Sequence, residues 1–303
     1  MEKYTNYRDK GTGISPFMPV NPTRHGKIFK SIQWSIFIIK CILLLPVLLC
    51  LLGVQFNGSM IYLLMKLLFG YSVDVTIQGK RKRAINRRVD YPHRGSLYLC
   101  NYTSGLDAIV CYIISQDTNV LYLVVKDNEV YGMRLYNFLN YTLGQIELSK
   151  CGEKIVNWQE VCNDYTCFMF AEGTTSNGKS VLPFEIDVKH LQTFMLGEEK
   201  EGEDVNTNNE YIKNIQWVQI RHIPSSLTTP LPITKPDFLK LLLYISGPQT
   251  KVKLVPAQDS NTSSKDLIHN GRALLNGGRT PVARTLGAAQ KAAFLAEWRG
   301  ARA

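Results

Sequence analysis

Residues 96–115 read SLYLCNYTSGLDAIVCYIIS. An uninterrupted apolar run, Ser96 to Asn101, fits a buried strand, and the segment from Gly105 to Ser115 fits a helix. Between them lies a short polar turn that ends three residues before Asp107. The same alternation continues outward along the chain. Strands are expected at 73–78, 119–125, 145–148, 166–173, 215–220 and 251–257, and helices at 129–142, 152–164, 237–246 and 264–276. Nearly continuous apolar strands interleaved with helices predict an α/β fold, a mixed but mostly parallel sheet flanked by helices. In such sheets the chemistry sits in loops beyond the strand ends.

Ahead of this core stand two apolar segments. Trp34 to Phe56 carries one charge, Lys40, and has roughly the length of a bilayer span. Met60 to Phe69 follows the turn Asn57-Gly58-Ser59 and is too short to cross. Together they predict a membrane-associated helical hairpin over 31–70, preceded by a polar segment, 1–30. The α/β domain then runs from 71 to 278, with an exposed acidic loop at 197–210 and a tail, 279–303, that reads as a helix or a frayed end.

The formal charge of +10 over 303 residues favours an anionic partner. Between Lys80 and Arg94 there are seven Lys or Arg against one Asp, immediately beyond the apolar segments. Such a cluster is drawn to anionic lipid by about 1 kcal/mol per charge at a membrane surface. It lacks interleaved stacking aromatics and any nucleic-acid module, so no nucleic acid is expected. The seven cysteines show no C-x-x-C pair and lie in apolar runs, the pattern of reduced thiols and not of disulfides or a zinc site.

Two loops carry the chemistry. NYTSGLD, 101–107, brings an amide, hydroxyls and a carboxylate to a strand end. EGTTSNGK, 172–179, brings Glu172, the permissive Gly173, the hydroxyls of Thr174 and Thr175, and the cation Lys179. A loop of that kind suits a phosphate, because backbone N–H groups, hydroxyls and a lysine all donate to anionic oxygens. No G-x-S-x-G elbow is present, which sets aside a serine hydrolase.

In order and spacing these segments resemble the glycerophospholipid acyltransferases, membrane-bound enzymes that acylate lysophosphatidic acid and its relatives. That family carries N-H-x-x-x-x-D, G-x-I-F-I-x-R and F-P-E-G-T-R-S motifs. The counterparts are Asn101 to Asp107, Gly144 to Lys150 (GQIELSK) and Phe170 to Ser176 (FAEGTTS). Most of the chain, to about Gly277, resembles fungal members of the family at the endoplasmic reticulum and lipid droplets. The resemblance implies an acyl-CoA co-substrate, a lysophospholipid acceptor, no bound cofactor or metal, and a catalytic domain facing the cytosol. It also implies roles: Asp107 with the residue at position 102 as the catalytic pair, and Asn101, Lys150, Glu172, Gly173, Thr174, Thr175 and Lys179 as substrate-binding groups.

The departures from the family pattern are informative. Tyr102 stands where the motif has its proton-accepting His, and a phenol of ordinary pKa near 10 is a poor base at neutral pH. Thr175 replaces the phosphate-binding Arg, and Lys150 replaces the second motif's Arg, leaving Lys150 and Lys179 to supply the cation. Three routes to a base are open: Asp107 through a water, the acceptor's own phosphate, or a distant His, His222 or His93. The last is the weakest, since neither histidine lies in a motif. The competing class is an acyltransferase fold without catalysis that binds lipid or membrane in a trafficking or lipid-droplet role.

Overall fold

The computed structural model describes residues 2–21, 26–51, 57–144, 146–197, 209–245, 247–256, 264–279, 281–283 and 285–300. Most of the acidic loop expected at 197–210, and Phe56 at the end of the first apolar run, lie outside them. One eight-stranded sheet organises the fold, in the order β1-β8-β7-β2-β6-β3-β4-β5. Its strands are β1 (Ser72–Ile77), β2 (Leu97–Cys100), β3 (Val120–Lys126), β4 (Glu129–Met133), β5 (Glu153–Ile155), β6 (Thr166–Phe170), β7 (Ile215–Ile223) and β8 (Gln249–Val255). The block β7-β2-β6-β3 is parallel, so the carboxyl ends of β2, β6 and β7 open on one edge. β8 runs antiparallel to β7, which brings its amino end, Gln249 and Thr250, to that same edge.

The period-two side-chain alternation of the central strands divides the core. Tyr98, Cys100, Phe168, Phe170, Val218 and Ile220 enter one cluster. Leu97, Leu99, Cys167, Met169, Ile215 and Trp217 enter the opposite one. Over the first face lie α2 (Gly58–Phe69), α4 (Leu106–Ile114), α5 (Leu135–Thr142) and α8 (Lys235–Tyr244). Over the second lie α7 (Val188–Leu196) and α9 (Ser264–Leu275). One-turn helices α3 (Arg87–Asp90) and α6 (Leu148–Cys151) complete the connections.

Three expected elements between β3 and β6 differ. The segment 129–142 is not one helix: β3 turns back through Asp127 and Asn128, both at positive φ, and 129–133 pairs antiparallel as β4 before α5 begins. Glu129 to Met133 could satisfy a helical pattern, but the two-residue turn hands its backbone to β3. Leu148, expected in a strand, opens α6, and the helix expected at 152–164 is instead β5 and a single 3-10 turn at Trp158–Glu160. For β4 and β5 edge pairing in the sheet overrode a short apolar period, while Leu148 went into a helical turn.

α1 (Lys27–Leu51) and α2 pack against each other, and residues 52–56 between them lie outside the described residues. Trp34 Nε1 donates to the Tyr244 hydroxyl of α8 at 2.9 Å, Lys40 Nζ donates to the Leu68 carbonyl, and Phe37 stacks on Phe69. Gly58 lets α2 rest directly on α4, for a Cβ there would lie 2.4 Å from the Tyr112 carbonyl oxygen. Ile28, Ile32, Ile39, Ile42 and Leu43 of α1 and Leu63 of α2 point outward, more than half exposed. Among the described residues no helix is long and apolar enough to cross a membrane, so the expected span is not found.

The two chain ends meet. Residues 2–20 and α10 (Ala288–Gly300) share a third cluster of Tyr7, Phe17, Leu182, Val282, Leu286 and Phe294. Tyr7 and Phe17 both pack on the Phe294 ring, and the Tyr7 hydroxyl donates to Glu297 at 2.7 Å. The segments read as a polar leader and a tail are thus one lid on the β6 loop.

Gly271 of α9 lies against the Trp217 ring, and a Cβ there would stand 1.9 Å from it. Gly271→Ala should lower stability by about 2–3 kcal/mol, the scale of overpacking a rigid core site. Chemical unfolding checks this, and a loss below 0.5 kcal/mol on the order of a surface change would show that helix and strand are not held at this spacing.

Candidate active site

β7 runs past the end of β2. Cys100 is the last residue of β2 and pairs with Val218, leaving Gln219 to Ile223 extending beyond it. Asn101 covers part of this overhang with its side chain: its Nδ2 donates to the Ile220 carbonyl at 2.9 Å, and its Oδ1 accepts from Ile220 N at 2.6 Å. The amide supplies a ladder rung that the turning backbone cannot, and it keeps the polar groups of buried Ile220 paired. Asn101 is therefore a bracket between the loop and β7.

The overhang carries His222. Alternation along β7 puts it on the face of Val218 and Ile220, above the 101–107 loop. His222 Nε2 lies 2.7 Å from Asp107 Oδ1, and both side chains are fully buried. Asp107 Oδ2 accepts from the backbone N–H groups of Thr103 at 2.6 Å and Ser104 at 2.9 Å. The loop thus wraps the carboxylate of the second residue of α4, where a helix amino terminus favours negative charge.

On its other side His222 Nδ1 lies 2.7 Å from Thr250 Oγ1. Thr250 stands directly opposite His222 in the β7–β8 register, and its hydroxyl contacts the Tyr71 hydroxyl. Since a carboxylate only accepts, Nε2 carries the proton, Nδ1 accepts from Thr250, and Thr250 accepts from Tyr71. The chain Tyr71–Thr250–His222–Asp107 leaves no donor idle. It holds the imidazole in one tautomer.

Tyr102 points the other way. Its ring packs on Phe138 and Phe170, and its hydroxyl meets Thr142 Oγ1 at 2.6 Å. Burial pushes the phenol well above its ordinary range, so it stays protonated. What Tyr102 contributes to the loop is its backbone: its N–H donates to Glu172 Oε1 at 2.7 Å, and its carbonyl accepts from Ser176 N at 2.9 Å.

Glu172 is wholly buried and its second oxygen accepts from Leu182 N at 2.7 Å. Desolvation raises its pKa to about 8, against the pull of the two N–H groups and Arg272. Gly173 adopts φ +64, and a Cβ would lie 2.5 Å from the Val125 carbonyl oxygen, so this turn requires glycine. Thr174 N closes the turn on the Glu172 carbonyl at 2.7 Å, and Thr175 Oγ1 donates to the Thr229 carbonyl at 2.8 Å.

Sequence reasoning left residues 279–303 without a role, yet α10 delivers a cation to Thr175. Lys291 is buried and its Nζ donates to both the carbonyl and the hydroxyl oxygen of Thr175, each at 2.7 Å. Burial drives its pKa down to about 7, and Glu172 partly restores it. A signal was present: Lys291, Phe294 and Trp298 form one i, i+3, i+7 stripe, a lysine on an apolar face. Lys150, offered as the replacement cation, lies on an exposed turn paired with Glu147 at 3.4 Å. His93 is exposed, with Nδ1 near the Tyr91 carbonyl.

A cleft of about 490 Å³ opens beside the pair, lined among others by Asn101, Thr103, Asn177, Lys179, Arg221 and His222. Asn177 anchors the amino-terminal lid to its rim, donating to the carbonyls of Ser15 and Met18. Of the residues expected in the site, Asn101 and Lys179 line this cleft. Asp107, Glu172 and Thr175 are buried within its walls, and Lys150 is apart from it. Among the described residues no group of His, Cys, Asp and Glu is arranged to hold a metal ion.

A buried Asp–His pair thus stands at the strand ends beside a polar cleft. The chain is 34% identical over 306 residues to lysophosphatidic acid:oleoyl-CoA acyltransferase 1 of Saccharomyces cerevisiae, covering 98% of this chain and 97% of that protein. It belongs to the glycerophospholipid acyltransferase family and is an acyltransferase. No family profile matches it. The crystal structure of a 1-acyl-sn-glycerophosphate acyltransferase from Thermotoga maritima aligns over 83% of this chain and 93% of its own, at 12% identity and a TM-score of 0.38. At that score the assignment rests on the yeast relative alone.

One variant separates the lid lysine from the loop. Because the folded Lys291 titrates near 7 and the unfolded one near 10.5, the unfolded state binds the extra proton between those values. Wild type should therefore gain stability relative to Lys291→Met as pH rises from 7 to 10.5, with Glu172 acting in the opposite sense only below about 8. Urea unfolding across pH 6.5–10 measures the gap between the two proteins. A gap independent of pH would show that the lysine is not held in this desolvated place.

Proposed function

We propose that the enzyme transfers the acyl group of an acyl-CoA to lysophosphatidic acid, giving phosphatidic acid, and that His222 held by Asp107 is its proton-accepting pair. The observation that carries this reading is the 2.7 Å contact between the two buried side chains at the carboxyl edge of the sheet. The yeast relative's name supplies the substrates: lysophosphatidic acid as acceptor and oleoyl-CoA as donor.

The chemistry needs one base. The acceptor hydroxyl displaces the Thr250 hydroxyl from His222 Nδ1, gives up its proton there, and attacks the thioester carbonyl carbon. The C–S bond breaks, the coenzyme A thiolate leaves, and the imidazolium returns the proton to it. Asp107 stabilises the imidazolium through Nε2–H, as the carboxylate of a triad does. Asn101, Glu172, Gly173, Thr174 and Thr175 hold the two loops at the distances given above, and Lys179 meets the acceptor in the cleft. Tyr102 takes no proton in this scheme.

The enzyme works at a membrane. The exposed isoleucines of α1 form an apolar face, and Arg87 donates to the Ile113 carbonyl beside the point where Gly58 seats α2 on α4. The basic cluster therefore flanks the hairpin. Lys80 and Lys82 are paired with Asp90 and Asp74, while Arg81, Arg83 and Arg88 stand exposed for anionic lipid. The hairpin lies in one leaflet of the endoplasmic reticulum or lipid-droplet surface, with the catalytic domain in the cytosol.

Purified protein with lysophosphatidic acid and labelled oleoyl-CoA should form phosphatidic acid. Both His222→Gln and Asp107→Asn should lower kcat by about 10²- to 10⁴-fold, the usual worth of a positioned base, whereas Tyr102→Phe should change it less than about threefold, since its ring is core. Loss with Tyr102→Phe and none with His222→Gln would move the base back to the motif position. A folded wild type without turnover on several acceptors would leave a lipid-binding protein in place of an enzyme.

A further inference from the structure

We infer that the cleft beside His222 is a phosphomonoester-binding site built by Lys179, Arg221 and Arg279, standing in for the arginine that Thr175 replaces. This rests on the acyltransferase reading and names the group that the enzyme grips. The argument begins with charge. Among the described residues, every titratable side chain lining the cleft is basic or His222, and no carboxylate lines it. The three cations are exposed, and none of them is paired with a carboxylate among the described residues. Elsewhere on the surface Lys82 is paired with Asp74 and Lys154 with Glu129.

Each cation comes from a different element and is placed by backbone contacts. Arg221 precedes His222 on the β7 overhang and stands opposite Lys251 in the β8 register, an arrangement of like charges that an anion would relieve. Lys179 follows a turn in which its own N–H donates to Asn177 Oδ1 at 3.2 Å. Arg279 lies just past the end of α9, where Asn276 Nδ2 donates to its carbonyl at 3.0 Å. Asn101, Ser180 and Thr228 add neutral polar groups to the lining.

The family position cannot do this work. Thr175 is buried, its hydroxyl is committed to the Thr229 carbonyl, and Lys291 is committed to Thr175. A dianionic phosphate needs several charge-assisted donors at once, and the cleft is where unpaired cations converge. Both substrates carry such a group: the headgroup of lysophosphatidic acid and the 3′-phosphate of coenzyme A are phosphomonoesters.

The test uses full-length protein in detergent micelles, with single and triple alanine variants at Lys179, Arg221 and Arg279 and Lys154→Ala as a charge control. Binding of lysophosphatidic acid and of coenzyme A is titrated separately by calorimetry, and steady-state KM values are taken for lysophosphatidic acid, monoacylglycerol, oleoyl-CoA and oleoyl-3′-dephospho-CoA. The expected result is a loss of about tenfold or more per cation in affinity and KM for one phosphomonoester, with kcat changed little. If the headgroup is the ligand, the loss falls on lysophosphatidic acid and its advantage over monoacylglycerol disappears. If the coenzyme is the ligand, the loss falls on oleoyl-CoA and its advantage over the dephospho form disappears. Unchanged binding of both in the folded triple variant overturns the inference. Binding lost in the triple variant of a protein that shows no turnover would uphold the site while sinking the acyltransferase mechanism.

Discussion

A buried carboxylate bridging two loops is the constraint on which the site depends. Glu172 sits at the end of β6 with no access to water, and each of its oxygens takes one backbone N–H, from Tyr102 and from Leu182. Leaving either N–H unpaired would cost about 1–3 kcal/mol, so the three segments are fixed to one another. From this bracket the β2 loop acquires its path, and that path presents the Thr103 and Ser104 N–H groups to Asp107. The second segment, around Leu182, enters the cluster where the two chain ends pack. The two chain ends, the β2 loop and the Asp107–His222 pair are therefore mechanically one unit.

The same bracket explains why Tyr102 can replace a histidine without disturbing the loop. The loop depends on the N–H and carbonyl at position 102, which any residue other than proline provides. Once the backbone is held, the side chain is free to follow packing. An aromatic ring there closes the space between Phe138 and Phe170, and its hydroxyl finds Thr142. The substitution adds to the core what it removes from the motif.

Much of the fold was legible because the central strands are buried on both faces and therefore read as unbroken apolar runs. SLYLC, VLYLVV and TCFMF need no tertiary information to be recognised. The region between β3 and β6 was not legible, since β4 and β5 are short and edge-paired and their sequence fits a helical period as well. The two loops were legible as a site, and Asp107 as its carboxylate. His222 was legible only within the weakest of three routes to a base, although IQWVQIRHI alternates throughout and places residue 222 on the face of Val218 and Ile220. What hid it was register. Nothing in the sequence says that β7 outruns β2 by five residues, Gln219 to Ile223. Lys291 was hidden for a different reason, because its partner, Thr175, was read as exposed to a ligand and not as buried under a helix from the other end of the chain.

A histidine that meets Asp107 from a neighbouring strand, and not from the motif loop, is held differently. A histidine on the motif loop would take its tautomer from Asp107 alone. His222 takes it from both sides, because Thr250 faces it across the β7–β8 ladder and Tyr71 backs Thr250 from the entry to β1. Tyr71 directly follows Gly70, the αL cap that ends α2. The last donor of the chain is thus joined to the hairpin that carries the exposed apolar face. The chain Tyr71–Thr250–His222–Asp107 thus ties the end of α2 to the carboxyl edge of the sheet.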